Sequence, residues 1–577
     1  MIDKIVDPLP PIWSLDSLRN IGHSLTETAQ RMPNSIAIAC PRRNQTKKLS
    51  AGQKFRYDTI TFLELEKATN QFARGIQRMG VTPGTRIALM VPPGIEFVTC
   101  VFGLFKAGIV TILIDPGMGR KNMIRCLSDA NPMGMVGIPL AHVARTVFRR
   151  NFPNCKRNVV VNGMFPGCTR ATRFSKLDPE EFDPVEISRE DEAAIIFTTG
   201  STGPPKGVLY RHRIFIEQSQ QIRDYFQIQP GSTDISGFPL FALFNTAMGT
   251  TTVFPKMDPT RPANVHPPNF IDAVQQFKAE QSFGSPALWN TISTFCEQQS
   301  VTLPSIKRVL SAGAPVPPTV LARIMNIIDP DGDAFTPYGA TESLPVACNS
   351  ASVVLNETAE KSNEGAGTCV GKRFPRIQWQ VIKITDQPIS NINLAEPVEP
   401  GSIGELIVRG PVVTDQYVTR TKSNADHKIT DGDSFWHRMG DVGYLDDQDR
   451  FWFCGRKGHR VHTQRATMYT IPCESIFNNH QKIYRCALVG VGRPGEQTPV
   501  IIAEPIAEYW PKTGSEKDLL LRELAAIANQ HSLTESIKHI LLHKSLPVDI
   551  RHNSKIFREQ LGEWAANELA KSQSGPA

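Results

Sequence analysis

From Thr59 onward, apolar and polar positions alternate in blocks of two kinds. Thr59 to Phe62 is a short strand-like run, and Leu63 to Met79 repeats apolar residues three and four apart, the period of a helix with one buried face. Arg86 to Val91 is a strand, Phe97 to Phe105 a helix, and Ile109 to Ile114 a strand again. Ala130 to Ile138, then Leu140 to Phe148, continue the alternation, and Ala193 to Phe197 is a further buried strand. Helices are expected at Phe215 to Phe226, Ile271 to Phe277, Pro286 to Gln298 and Pro318 to Ile328. Strands separated by helices of this length predict parallel sheets with crossover helices. Ahead of them, Leu15 to Met32 has helical spacing, Ser35 to Ala39 reads as a strand, and 41–56 as an exposed basic loop.

The pattern changes twice. Between about 365 and 453 it becomes short alternating runs, Gln378 to Ile384, Gly404 to Val408 and Phe451 to Cys454, which predict a small β-rich, barrel-like subdomain. Gly455-Arg456-Lys457-Gly458 is a candidate boundary. Beyond it, strands at Cys486 to Val491 and Val500 to Glu504, with helices at Leu519 to Gln530 and Thr534 to Ile540, make a compact α+β tail. The predicted division is 1–455 and 456–577, and the class is α/β.

Composition narrows the picture. The 577 residues, 40% hydrophobic and 21% charged, suit a globular protein of two or more domains. The net charge of +7 reads as spread through the chain, with Arg149-Arg150 and Arg211-His212-Arg213 as solvated clusters and no nucleic-acid site. Eleven cysteines without a Cys-x-x-Cys pair point away from zinc and from a disulfide framework, towards free thiols in a reducing cytoplasm. Met1 to Gly22 lacks the apolar core of a signal peptide. Lys106, Ala107 and Gly108 split the most apolar stretch, Phe97 to Ile114, so no transmembrane segment is expected.

The chemistry centres on Thr198-Thr199-Gly200-Ser201-Thr202-Gly203-Pro204-Pro205-Lys206-Gly207, directly after the strand ending at Phe197. Small residues let backbone N–H groups close on an anion, hydroxyls add donors, and Lys206 adds a point charge. A surface turn has similar composition. A P-loop NTPase requires glycine before the lysine and Ser or Thr after it; Pro205 and Gly207 stand there instead.

This stretch resembles the phosphate loop of the adenylate-forming superfamily, which includes acyl-CoA synthetases and adenylation domains. Its companions follow in order. Ser311-Ala312-Gly313-Ala314-Pro315 is similar to the adenine loop. In Tyr338-Gly339-Ala340-Thr341-Glu342, after a strand expected to end at Phe335, the resemblance implies Tyr338 against adenine, Thr341 on the α-phosphate and Glu342 on Mg²⁺. In Gly440-Asp441-Val442-Gly443-Tyr444 it implies Asp441 on the ribose, assisted by Arg456, with Gly458 as a hinge. In Pro547 to Ile556 it implies Lys555 as the adenylation lysine. ATP and Mg²⁺ are thus the implied cofactors, and Lys555, Thr198 and Glu342 the implied catalytic groups.

Two departures bear on the second half-reaction. Ala242 follows Phe238-Pro239-Leu240-Phe241, where many acyl-CoA ligases carry His or an aromatic residue, and is expected to widen the pocket. The run His459 to Tyr469 lacks the glycine that lets the CoA arm approach. The wider wording, including Ile138 to Arg145, Met257 to Ala263, Gly365 to Gly371 and His437 to Asp441, is similar to the β-lactone synthetases of bacterial olefin biosynthesis. That resemblance implies a long-chain 2-alkyl-3-hydroxy acid substrate, closure to a β-lactone, and assembly with other olefin-pathway enzymes. His459 and His462 are candidate bases. A fatty acyl-CoA synthetase and a non-catalytic binding protein on the same fold are the alternatives; intact Lys206, Glu342, Asp441 and Lys555 speak against the latter.

Overall fold

The computed structural model describes residues 19–43, 45, 48–50, 53–180, 182, 185–198, 204–548 and 556–573. Thr199 to Gly203, Asp549 to Lys555 and the first part of the helix expected from Leu15 lie outside the described residues.

Two large sheets carry the bulk of the chain. The first has seven strands in the order Thr169–Arg170, Arg157–Val160, Gly134–Gly137, Arg86–Met90, Val110–Leu113, Glu192–Phe197, Gly207–Arg211. All neighbours are parallel except the last pair. The second has fourteen strands. Six are parallel neighbours: Ile36–Pro41, Thr251–Val253, Thr233–Ser236, Gln281–Gly284, Arg308–Ser311 and Asp333–Ala340. The β-rich region expected between 365 and 453 is antiparallel and is joined edge to edge to this sheet through Ser343–Ser350 and Thr368–Arg373.

Local chemistry accounts for the elements that frame the sheets. Phe62–Arg78 begins at a capping box in which Thr61 accepts from the Glu64 N–H and the Glu64 side chain from the Thr61 N–H, satisfying two orphan donors. Its partner Ile95–Lys106 packs closely because Gly103 has no side chain; a Cβ there would lie 2.8 Å from the Phe72 ring. Lys106, which interrupts the apolar run in sequence, is buried, with Nζ 2.5 Å from Glu66 Oε2 and 2.7 Å from Asn70 Oδ1. No helix among the described residues is long and apolar enough to cross a membrane.

The tail has its own three-stranded sheet, Ile483–Val491, Thr498–Pro505 and His539–Leu542, with helices Thr470–Asn478, Gly514–Asn529 and Arg558–Gln573. Separate apolar clusters form around Phe477, Leu488, Ile501 and Leu524 and around Val489, Val500, Ile502 and Leu561.

Three expectations need correction. Thr534 to Ile540 is a turn leading into the His539–Leu542 strand, not a helix: Thr534 Oγ1 donates to Ala528 O, closing the preceding helix, and parallel pairing with Thr498–Pro505 takes the backbone of His539–Leu542. The strand expected to end at Phe335 runs on to Ala340, because the hairpin with Ser343–Ser350 supplies its hydrogen bonds. The 41–56 stretch is not simply exposed: Leu49 and Phe55 are buried, their N–H groups held by the Asn269 and Asp272 side chains.

Candidate active site

Thr198 and Lys206 form the neck of the glycine-rich loop. The Thr198 N–H donates to Lys206 O at 3.0 Å, and the Lys206 N–H donates to Thr198 Oγ1 at 3.1 Å. The chain leaves the loop as an antiparallel strand, Gly207–Arg211, so this is a strand–loop–strand device, unlike the strand–loop–helix of a P-loop. Gly207 N–H donates to Thr419 Oγ1 at 2.8 Å, tying the neck to the 414–419 segment.

The Lys206 ammonium points at a small polar cluster. Nζ lies 2.8 Å from His427 Nε2 and 4.9 Å from the centre of the Tyr417 ring. Burial draws the lysine down from its ordinary value, opposed by the nearby Glu342 carboxylate. Burial, reinforced by Lys206, draws His427 down to about 3, so the imidazole is neutral and its Nε2 accepts from the lysine. The Tyr417 hydroxyl donates to Glu342 Oε1 at 2.7 Å.

Thr341 and Glu342 occupy the tight turn of the Asp333–Ala340/Ser343–Ser350 hairpin. Both backbone carbonyls are pinned. Thr341 O accepts from the Tyr210 hydroxyl at 2.7 Å, and Glu342 O from the Thr414 N–H and hydroxyl at 2.9 and 3.0 Å. The turn is therefore held by two separate elements through its backbone carbonyls, while Tyr417 holds the carboxylate at Oε1.

A second cluster joins two strands. Asp441 and Arg456 are register partners across the Ser434–Leu445/Arg450–Arg456 ladder, with Arg456 Nη1 2.6 Å from Asp441 Oδ1. The Tyr338 hydroxyl donates to Asp441 Oδ2. Burial, and then the Asp441 charge, push that phenol well up, while the Asp441 carboxylate holds the guanidinium firmly protonated. Gly313, Ala314 and Pro315 follow the Arg308–Ser311 strand; Gly313 has φ +99°, a left-handed conformation that glycine adopts freely.

All the described residues expected at the site line one cavity of about 2980 Å³: Thr198, Lys206, Gly313, Ala314, Pro315, Tyr338, Gly339, Ala340, Thr341, Glu342, Asp441 and Arg456. Thr199, Gly200, Ser201, Thr202, Gly203 and Lys555 lie outside the described residues; Ile556, which follows Lys555, lines the cavity. Of the two candidate bases, His459 lines the cavity, 3.6 Å from Glu559 Oε1. His462 instead bonds Thr467 Oγ1 within its own hairpin and is not part of the lining.

One arm of the cavity is apolar. Phe241 stacks on Phe283 with ring centres 4.4 Å apart, Phe238 lies 5.7 Å from the same ring, and Leu240 and Phe244 complete the wall. Ala242 is fully buried and does not line the cavity, so it does not widen it; the neighbouring aromatic rings set its width. Gly458 has an ordinary backbone in this conformation, and a Cβ there would meet nothing within 4 Å.

The family model for AMP-binding enzymes matches residues 25–418. The chain belongs to the AMP-binding enzyme family. It is 40% identical to an olefin β-lactone synthetase of Xanthomonas campestris pv. campestris over 564 residues, covering 96% of this chain and 99% of the relative. It is 42% identical over 561 residues to an olefin β-lactone synthetase of Stenotrophomonas maltophilia, with the same coverage. Among solved structures, an anthranilate CoA ligase bound to anthranoyl-AMP superposes with a TM-score of 0.75 at 17% identity, covering 97% of this chain and 99% of that one. The α/β fold expected from the hydrophobic pattern is thus the fold of this family, and the chain is an AMP-forming ligase.

Tyr417, His427, Tyr210 and Thr414 escaped the sequence reading. None sits in a patterned motif; Tyr417 lies 75 residues from Glu342 in the chain and reaches it only through the fold.

Proposed function

We propose that this enzyme activates a long-chain 2-alkyl-3-hydroxy acid with ATP and closes it to a β-lactone. The observation that carries the reading is the 40–42% identity to two olefin β-lactone synthetases over 96% of the chain. The aromatic arm around Phe241 and Phe283 supports an alkyl substrate.

In the first half-reaction a substrate carboxylate oxygen attacks the α-phosphorus of ATP, the bond to pyrophosphate breaks, and an acyl-adenylate forms. The Thr198–Lys206 loop holds the phosphates, Asp441 with Arg456 takes the ribose hydroxyls, and the Gly313–Pro315 loop with Tyr338 borders adenine. Lys206, and Lys555 by its place in the motif, offset the negative charge that gathers in the transition state. Glu342 fits a Mg²⁺ ligand: it lines the cavity with one oxygen anchored by Tyr417. Among the described residues no three His, Cys, Asp or Glu gather to hold a metal by themselves, which suits a cation that takes most of its ligands from phosphates. Bound there, Mg²⁺ would neutralise phosphate charge.

In the second half-reaction the substrate's C3 hydroxyl attacks the activated acyl carbon. A C–O bond closes the four-membered ring, AMP leaves with its bonding pair, and the hydroxyl proton passes to water or to the departing phosphate. The nucleophile is tethered, so no second substrate has to be bound and oriented. A fatty acyl-CoA synthetase is the alternative reading, supported by the acyl-CoA ligases that share the fold.

The test compares a 3-hydroxy acid with its 3-deoxy analogue. Both should support ATP–pyrophosphate exchange, and only the hydroxy acid should release AMP in multiple turnovers. Sustained AMP release from the deoxy acid on adding CoA would favour the acyl-CoA synthetase.

A further inference from the structure

The helix Pro139–Val147 turns its apolar residues outward. Its one fully buried side chain is a histidine: His142 sits with Nε2 3.0 Å from Val159 O and its ring 5.6 Å from that of Phe165. Leu140, Val143 and Val147 are 71%, 46% and 69% exposed, and their spacing of three and four places them on one stripe; Phe148, 40% exposed, caps the helix beside it. Met164, also exposed, follows Gly163, which lies against Pro139 at the start of this helix. Among the described residues thirteen large apolar side chains are exposed, and these five fall within 140–164, so the patch is a concentration and not the ordinary scatter.

The surroundings are strongly basic. Residues 116–176 hold eleven Lys or Arg and one acidic residue, Asp129, a net charge of +10. The other residues carry 52 basic against 55 acidic groups, a net −3. The charge is therefore not spread through the chain as the composition suggested; it collects in this segment. Arg120, Lys121, Arg125, Arg149 and Arg150 are all exposed. The stripe is also continuous with the active-site cavity: Leu140, Val143, Val147 and Phe148 are at once exposed and part of its lining, which puts them at its mouth.

We propose that the stripe on Pro139–Val147 and its basic surround dock on an anionic lipid bilayer. An exposed apolar helical stripe beside lysine and arginine, without a membrane-spanning helix, is the pattern of an interfacial anchor. A second copy of the chain is disfavoured as the occupant because two copies of this basic surround repel each other. Docked in this way, the cavity mouth opens on the leaflet in which a long-chain acid partitions. That last consequence rests on the proposed substrate; the docking does not.

The test is vesicle flotation of the full chain, which reads binding and not turnover. Wild type should float with phosphatidylglycerol-containing vesicles and remain in solution with neutral phosphatidylcholine vesicles. Added salt should weaken the binding. Leu140→Ser/Val143→Ser/Val147→Ser should lose at least about tenfold in partitioning, as expected for three buried aliphatic side chains. Arg149→Ala and Arg150→Ala should each lose about fivefold. All the substituted side chains are exposed, so unchanged melting temperatures verify that the variants fold. A Val147→Trp variant should show a blue-shifted emission on anionic vesicles. Absence of flotation, equal flotation with neutral vesicles, or serine variants that bind like wild type would overturn the proposal. So would a sedimentation shift from dimer to monomer in the serine variant, which would make the stripe a self-interface.

Discussion

Lys206 Nζ donates to His427 Nε2 across 2.8 Å, joining residues 221 positions apart in the chain. The histidine keeps the lysine aimed at the turn that carries Glu342. Its neutrality is what makes the contact attractive, since a protonated imidazole would repel the ammonium.

His427→Ala should therefore slow adenylation. A hydrogen bond to a charged group is worth about 1.5–3 kcal/mol, or on the order of 10- to 100-fold if it is fully expressed in the transition state. ATP–pyrophosphate exchange measures this step alone. His427→Gln retains an acceptor and should recover part of the loss, whereas His427→Lys should be at least as slow as His427→Ala.

Asp441 has two attendants, Arg456 and the Tyr338 hydroxyl, which orient its carboxylate. With Asp441 in its proposed place at the ribose, Asp441→Asn should raise the KM for ATP by about 10- to 100-fold, the cost of exchanging a charged acceptor for a neutral one. The KM for the acid should change little. Equal rises for both substrates would place Asp441 outside the nucleotide subsite.

Lys555→Ala should depress exchange by about 10²–10³-fold, as for removal of one preorganised charge at a reacting phosphate. Cyclisation of chemically synthesised acyl-adenylate should be nearly unaffected by the same change. A variant equally impaired in both steps would refute an adenylation-specific role.

Several histidines are buried neutral. His212 and His427 are both held down to about 3, chiefly by burial. The ring nitrogen His212 Nδ1 accepts from the Ile21 N–H, a bond made by the unprotonated atom. In the unfolded chain each titrates near its ordinary value of 6.5. Below that pH the unfolded state binds more protons than the folded one, so stability falls as pH falls. Each histidine contributes a slope of up to about 1.4 kcal/mol per pH unit between about 6.5 and 3. Urea titrations at several pH values check this, and His212→Asn should flatten the slope.

The Lys106–Glu66 pair is almost completely desolvated. Lys106→Met should destabilise the protein by about 3–5 kcal/mol, because it leaves Glu66 buried without its counter-charge. Adding Glu66→Leu should recover much of that loss. Denaturant midpoints of the two variants decide the matter.

Much of this molecule is legible in one dimension because parallel sheets with crossover helices bury nearly continuous apolar runs. Glu192–Phe197, Pro286–Gln298 and Pro318–Ile327 stand within a residue or two of where periodicity places them. Asp333–Ala340 and Ser343–Ser350 were harder, since their polar and small residues form strands only through the hairpin they share. The motifs that carry the resemblance are contiguous words, and the cavity gathers the described site residues among them. Tyr417 and His427 are not words. They stand in a polar stretch whose only signal is the fold that brings it beneath Glu342 and Lys206. The basic segment 116–176 was countable from the outset, yet its meaning depends on seeing Leu140, Val143 and Val147 turned outward beside it.

The proposed activity turns on lactone formation without a second substrate. Purified protein, ATP, Mg²⁺ and a long-chain 2-alkyl-3-hydroxy acid would be incubated with and without CoA, and the products read by NMR and mass spectrometry. A β-lactone and AMP are expected in equal amounts, indifferent to CoA. A thioester formed only when CoA is present, with no lactone in its absence, would contradict it.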